Sequence, residues 1–189
     1  KLIAGLSFFA IIGMDTGGAL DMLLYPDIYL DSIDKLDIKK LKEMGFEALI
    51  FDIDNTIIGW NIMVPDERSR RIINEAVSVG MKVCFISNGT KKRVVEFASA
   101  LGVPYVCNAG KPLKIPYRKA LKLLKVNPRK VVAIGDQVFT DIIGANRLGF
   151  FTILVHPIST KENEWTRFVR RFERFVLNKY SRNIKKNDL

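Results

Sequence analysis

Two aspartates two residues apart, Asp52 and Asp54, follow the short apolar run Ala48-Leu49-Ile50-Phe51. A run of this kind suits a strand buried on both faces, and it stops abruptly at the first carboxylate. Side chains repeat with period two in an extended strand end, so the two carboxylates point the same way. Like charges held that close repel, and a chain that keeps both needs a cation between them, a shared proton, or both. That is the arithmetic of a metal-assisted acid/base pair. Asn55 and Thr56 add short polar groups able to cap the turn and support the pair. The plain alternative is an ordinary strand running into an acidic loop, and the rest of the chain has to decide between the two.

The elements around this stretch alternate. Apolar spacing with lysines between predicts a short helix over 38–44, closed by Gly45. Asp66 stands as N-cap of a helix over 67–79 stopped by Gly80, and Thr90 opens a helix over 91–101 closed by Gly102. A further helix is predicted over 117–124, and Thr140 is placed as the cap of another over 141–148. Strands are predicted over 48–51, 82–86, 104–107, 131–134 and 151–155. Strands separated by helices of about ten residues need crossover connections, hence a doubly wound α/β fold with a parallel sheet of about five strands. The preceding stretch 23–33, with Tyr25, Pro26 and Tyr29, reads as an approach to the core.

Each buried strand then ends, at its carboxyl edge, in polar residues: Asp52 and Asp54, then Ser87 and Asn88, then Lys111, then Asp136 and Asp141. Ligands of open α/β sheets bind at that edge. Taken singly, Ser87-Asn88-Gly89 is a common turn, Lys111 a surface lysine and Asp141 a helix N-terminal acid. Taken in this order at successive strand ends, carboxylates, a hydroxyl and a lysine are what magnesium-dependent phosphoryl transfer needs.

The totals are compatible. A length of 189 residues with 48% hydrophobic content suits one domain with a substantial core, and 30 Lys+Arg against 20 Asp+Glu give a net charge of +10 that attracts anions. Cys84 and Cys107 stand singly in apolar runs, as buried reduced thiols of an intracellular protein do, and with His156 as the single histidine no structural zinc site is expected. Residues 1–21 are read as an apolar, glycine-bearing extension. Their apolar segment, Leu2 to Met14, has about 13 residues against the ~20 that a spanning helix needs, and the domain is expected over 22–189.

The motifs D-I-D-N-T, I-S-N, the lone Lys111 and G-D-Q-V-F-T-D together resemble the haloacid dehalogenase (HAD) superfamily of phosphatases. The runs L-Y-P-D-I-Y-L and I-G-D-Q-V-F-T-D-I-I-G-A-N-R-L-G-F-F-T-I-L-V resemble its YqeG-type branch, which lacks a cap domain and is similar to phosphatidylglycerophosphate phosphatases of mitochondria and plastids. The resemblance implies that Asp52 is the nucleophile, forming an aspartyl-phosphate. It implies that Asp54 protonates the leaving oxygen and then deprotonates water. It further implies Mg2+ held by the Asp52 carboxylate, the Asp54 carbonyl and Asp136, phosphate held by Ser87, Asn88 and Lys111, and Thr56 and Asp141 in support. Asn146 and Arg147 match a family-typical segment near the site.

Thr56 to Ser87 and Gly89 to Lys111 hold one helix-plus-strand unit each, leaving no room for a cap, so the site should be open to a bulky substrate. From Trp165 to Tyr180, Trp, Phe and Val recur at helical spacing among arginines and lysines, which predicts a basic amphipathic helix over 162–182. Such a helix suits either the sheet or an anionic membrane surface. The expected enzyme is a cytoplasmic protein, peripheral at the membrane, that dephosphorylates phosphatidylglycerophosphate, an anionic phospholipid. The alternatives are a soluble phosphatase for a nucleotide, sugar phosphate or phosphoprotein, and a basic nucleic-acid-binding module on the same fold. The last is disfavoured because mere binding needs no nucleophile, acid/base, metal ligand and lysine together.

Overall fold

The computed structural model describes residues 23–60 and 62–159, so the extension over 1–21 and the amphipathic helix over 162–182 lie outside the described residues. Six parallel strands form one sheet: β1 (Ile28–Leu30), β2 (Ala48–Phe51), β3 (Lys82–Ile86), β4 (Tyr105–Val106), β5 (Val131–Gly135) and β6 (Phe151–Val155). Their order across the sheet is β1-β6-β5-β2-β3-β4. Helices connect them: α1 (Ile38–Glu43), α2 (Glu67–Ser78), α3 (Lys91–Ser99), α4 (Lys114–Leu124) and the short α5 (Ile143–Asn146).

The strand order explains where the site falls. From β2 the chain proceeds outward through β3 to β4, then returns to the other side of β2 as β5 and continues to β6. The topological switch therefore lies between β2 and β5, whose registers pair Phe51 with Ile134. Asp52 and Asp136 emerge just past that pairing, in the crevice where loops diverge in opposite directions. Every residue of β2 and of β5 is buried, as expected for central parallel strands covered on both faces. Phe51, Phe85 and Phe97 are among the largest fully buried side chains, each worth about 1.5–3 kcal/mol of transfer free energy.

The sheet has one strand more than expected. Residues 28–30 pair with β6, Ile28 opposite Ile153 and Leu30 opposite Val155. Polar ties fix this edge. The Asp27 carboxylate accepts from the Thr152 amide at 2.7 Å and the Thr152 hydroxyl at 2.9 Å, while the Asn146 side-chain amide donates to the carbonyls of Leu23 at 3.0 Å and Tyr25 at 2.9 Å. Asp66 caps α2 by accepting from the Ser69 amide. Thr90 occupies the N-cap of α3 without a side-chain bond. Thr140, however, caps nothing: it lies inside a π turn, Val138–Ile142, whose N-cap is Gln137, and the α-helix begins only at Ile143. The connection from β2 to β3 contains α2, and that from β3 to β4 contains α3, with no inserted domain among the described residues. No helix among the described residues is long and apolar enough to cross a membrane.

Candidate active site

Asp52 continues the β2 ladder, its amide donating to the Ile134 carbonyl at 2.9 Å, and its carboxylate is buried at the sheet edge. Lys111 reaches it from the loop after β4, Nζ standing 2.5 Å from Asp52 Oδ1 and 2.6 Å from Asp141 Oδ1. All three side chains are nine-tenths or more buried. The Thr56 hydroxyl lies 3.2 Å from Asp52 Oδ2 and 3.1 Å from Asp136 Oδ1, and its single proton serves one of them at a time. Oxygens of Asp52, Asp136 and Asp141 all fall within 4.8 Å of one another. Three buried carboxylates against one ammonium leave a surplus of negative charge, and the donors are all hard oxygens. The set fits a small divalent cation such as Mg2+.

The electrostatics follow from burial. Asp52 is pushed up to about 7, chiefly by desolvation, with Lys111 opposing and Asp141 and Asp54 adding repulsion. Burial works against the Lys111 charge, but Asp141 and Asp52 outweigh it and hold the ammonium well above its ordinary range. Lys111 is therefore a fixed cation beside a carboxylate that surrenders its charge easily when no metal is present.

Local sequence explains how these groups can approach. A Cβ on Gly135 would stand 2.4 Å from the Asp141 Cβ, so only glycine lets the π turn fold back over the end of β5. The Gln137 amide then donates to Asp141 Oδ2 at 3.1 Å. The Tyr117 hydroxyl on α4 lies 3.0 Å from the Thr140 carbonyl and 3.2 Å from the Asp141 carbonyl, its single proton serving one of them at a time and closing the turn from the other side. Asn88 accepts from the Lys111 amide at 2.9 Å through its side-chain oxygen, so it shapes the lysine loop. Ser87 is buried and its Oγ accepts from the Gly89 amide at 2.9 Å.

Asp54 stands apart from the three converging carboxylates. Its Oδ2 lies 2.7 Å from Nη1 of Arg93, a residue not singled out in the sequence. Arg93 follows Lys91 and Lys92 and so looked like ordinary helical surface charge. Its alignment with buried Val94, Phe97 and Ala98 on α3 was the available signal that it faces inward. Gly135 and Tyr117 were likewise not anticipated. Asn146 and Arg147 serve the scaffold: the first ties residues 23–25 to Thr152, and the second donates to the Pro112 carbonyl at 3.3 Å.

Comparison with known proteins identifies the family and the fold. The HAD-hydrolase-like family matches residues 108–178. The chain is similar to the probable phosphatase YqeG of Bacillus subtilis, 34% identical over 163 residues, covering 86% of this chain and 95% of that protein. It is more distantly similar to phosphatidylglycerophosphate phosphatase 1, chloroplastic/mitochondrial, of Arabidopsis thaliana, 25% identical over 169 residues. That match covers 83% of this chain but only 48% of the Arabidopsis protein. A HAD phosphatase from Thermococcus onnurineus shares the fold, with a TM-score of 0.51 at 14% identity over 63% of this chain and 90% of its own. With a buried aspartate and lysine joined at the switch point and a full-length relative of this similarity, the chain belongs to the YqeG-type branch of the HAD superfamily of phosphatases.

Proposed function

We propose that this phosphatase hydrolyses phosphomonoesters through an aspartyl-phosphate on Asp52, and that its substrate is phosphatidylglycerophosphate. The observation that carries the first half is the buried contact of Asp52 with Lys111, flanked by Asp136 and Asp141 at the switch point. A carboxylate oxygen of Asp52 bonds to phosphorus as the ester P–O bond breaks, and the departing oxygen takes the proton of Asp54. In the second half, water attacks the acyl-phosphate, Asp54 receives its proton, and inorganic phosphate leaves with Asp52 restored to a carboxylate. Lys111 offsets the meeting of an anionic nucleophile with an anionic phosphate, and Ser87 with the Asn88 amide binds phosphoryl oxygens. Asp52 and Asp136, with the Asp54 carbonyl, would hold Mg2+, while Asp141 keeps Lys111 in place. When bound, the metal supplies Lewis-acid polarisation of the phosphoryl group.

The lipid substrate is supported by the chain's similarity to the Arabidopsis protein, by the net charge of +10, and by the rim of the site. On one side Trp60, Ile62, Met63 and Val64 are exposed, Val64 at 69%. Beyond Lys111, Leu113 and Ile115 are exposed as well. Apolar side chains around an open anion site suit a bilayer with anionic headgroups and support a peripheral position at a membrane surface.

The test compares phosphate release from vesicles containing phosphatidylglycerophosphate with release from soluble nucleotide, sugar and protein phosphates, with magnesium or with chelator. Expected are magnesium dependence and a preference for the vesicles of at least about tenfold in kcat/KM, a difference of about 1.4 kcal/mol in transition-state binding. The preference should shrink on truncation beyond Trp165. Equal rates on soluble esters, unaffected by truncation, would establish the soluble phosphatase instead.

A further inference from the structure

The reaction outlined above makes no use of Arg93, yet its placement is costly. It lies in the first turn of α3, where the helix dipole disfavours a cation, and it is only 5% exposed. Its Nε has no hydrogen-bond partner among the described residues. What offsets this is a pair of contacts: Nη1 to Asp54 Oδ2 at 2.7 Å and Nη2 to the Ile62 carbonyl at 2.9 Å. One planar guanidinium thus joins the second motif aspartate to the apolar loop at the site's rim.

Gly89 adds a spatial observation. A Cβ there would stand 3.1 Å from Ser87 Oγ and 3.5 Å from both Arg93 Nη1 and Asp54 Oδ2. Three polar groups, from the segments after β2 and β3 and from α3, converge on a space that the missing side chain leaves. An ester oxygen leaving a phosphoryl group held at Ser87 would have to be met on this side by Asp54.

We propose that Arg93 is a positioning residue for the proton transfer to the leaving group: by gripping Asp54 Oδ2 it fixes the carboxyl group beside the space over Gly89, and through Ile62 it sets the loop against that same space. This rests on Asp54 being the acid. A short carboxylate side chain without that grip rotates about its own bonds, and a proton donor misplaced by about 1 Å loses much of its effect. Substrates then differ in how much they notice. An alkoxide leaving group needs its proton, whereas p-nitrophenolate departs without one.

The experiment measures kcat/KM, which reports only steps up to phosphoryl transfer, for p-nitrophenyl phosphate and for an alkyl ester. The alkyl ester is phosphatidylglycerophosphate in vesicles or glycerol 3-phosphate in solution, whichever the wild type hydrolyses. For Arg93→Met, expected losses are about 100-fold on the alkyl ester but less than about fivefold on the aryl ester. Arg93→Lys, a point charge unable to hold both partners, falls between. Because both substrates are read on the same preparation, the ratio is unaffected by any fraction that fails to fold. Asp54→Asn should show the same selectivity, and the double variant should be no worse than Asp54→Asn alone. Equal losses on both esters in Arg93→Met, or a double variant multiplying the single losses, would overturn the proposal while Asp54→Asn still discriminates. An Asp54→Asn variant that does not discriminate would overturn the acid assignment, and the inference about Arg93 with it.

Discussion

In the proposed mechanism Asp52 meets two opposing demands, since nucleophilic attack requires its charge and burial at the sheet edge penalises that charge. Desolvation is the larger effect and raises it to about 7 despite Lys111. The sign of the consequence is fixed. The folded value lies above the ordinary 3.8, so between about pH 4 and pH 7 the metal-free folded protein holds a proton that the unfolded chain has released. The stability contributed by this group is complete below pH 4, declines as pH rises to about 7, and is level above. Asp52→Asn does not titrate. In denaturant unfolding of metal-free protein, the variant should therefore gain on the wild type between pH 5 and pH 7.5, and a constant difference would show that burial does not govern this carboxylate. Divalent cation should stabilise the wild type more at pH 7.5 than at pH 5, because ligation requires the proton to leave. Asp52 and Asp54 were legible as neighbouring carboxylates in need of compensating charge, although each has its own cation, Lys111 for Asp52 and Arg93 for Asp54. Arg93 was not, because three consecutive basic residues at a helix start read as solvated surface until their neighbours' packing is known.

At the scale of elements, the site depends on how tightly the π turn folds over β5. Gly135 permits that approach and the Tyr117 hydroxyl fastens it by donating to the main-chain carbonyl of Thr140 or Asp141. Gly135→Ala should force Asp141 away from Lys111, costing about 1–3 kcal/mol of stability as overpacked positions do, together with a fall in kcat. A melting profile and kcat both unchanged would mean that the turn yields without moving the carboxylate. The turn also marks where local sequence signals run out. Thr140 has the composition of a helix cap, but the chain after β5 must first satisfy the Asp141 and Lys111 contact, and it does so with a wider turn capped by Gln137. Strand β1 escaped notice for a different reason. It has three residues, sits at the edge, and owes its place to Asp27, Asn146 and Thr152, which are distant in sequence and silent in any local pattern. The central strands were legible because burial on both faces leaves continuous apolar runs longer than the three residues of β1.

For the molecule as a whole, strand order turns a list of motifs into one site. Residues following β2, β3, β4 and β5 meet because those strands are neighbours and parallel, with the chain reversing its course between β2 and β5. The single-helix crossovers insert no domain over that edge among the described residues, and its apolar rim, with the chain's net charge of +10, supports the proposed docking on a bulky anionic surface. Binding to vesicles of anionic lipid should accordingly weaken as salt is raised, measured by co-sedimentation, while zwitterionic vesicles bind little at any salt; equal binding to both would remove charge from the explanation. The proposed chemistry passes through one covalent bond. Mixing the protein with phosphorus-labelled ester and magnesium, quenching in acid within a turnover and mapping the label by peptide should place the phosphoryl group on Asp52, with none retained in Asp52→Asn. Label on another residue, or near-normal phosphate release by Asp52→Asn, would contradict a nucleophilic role for Asp52.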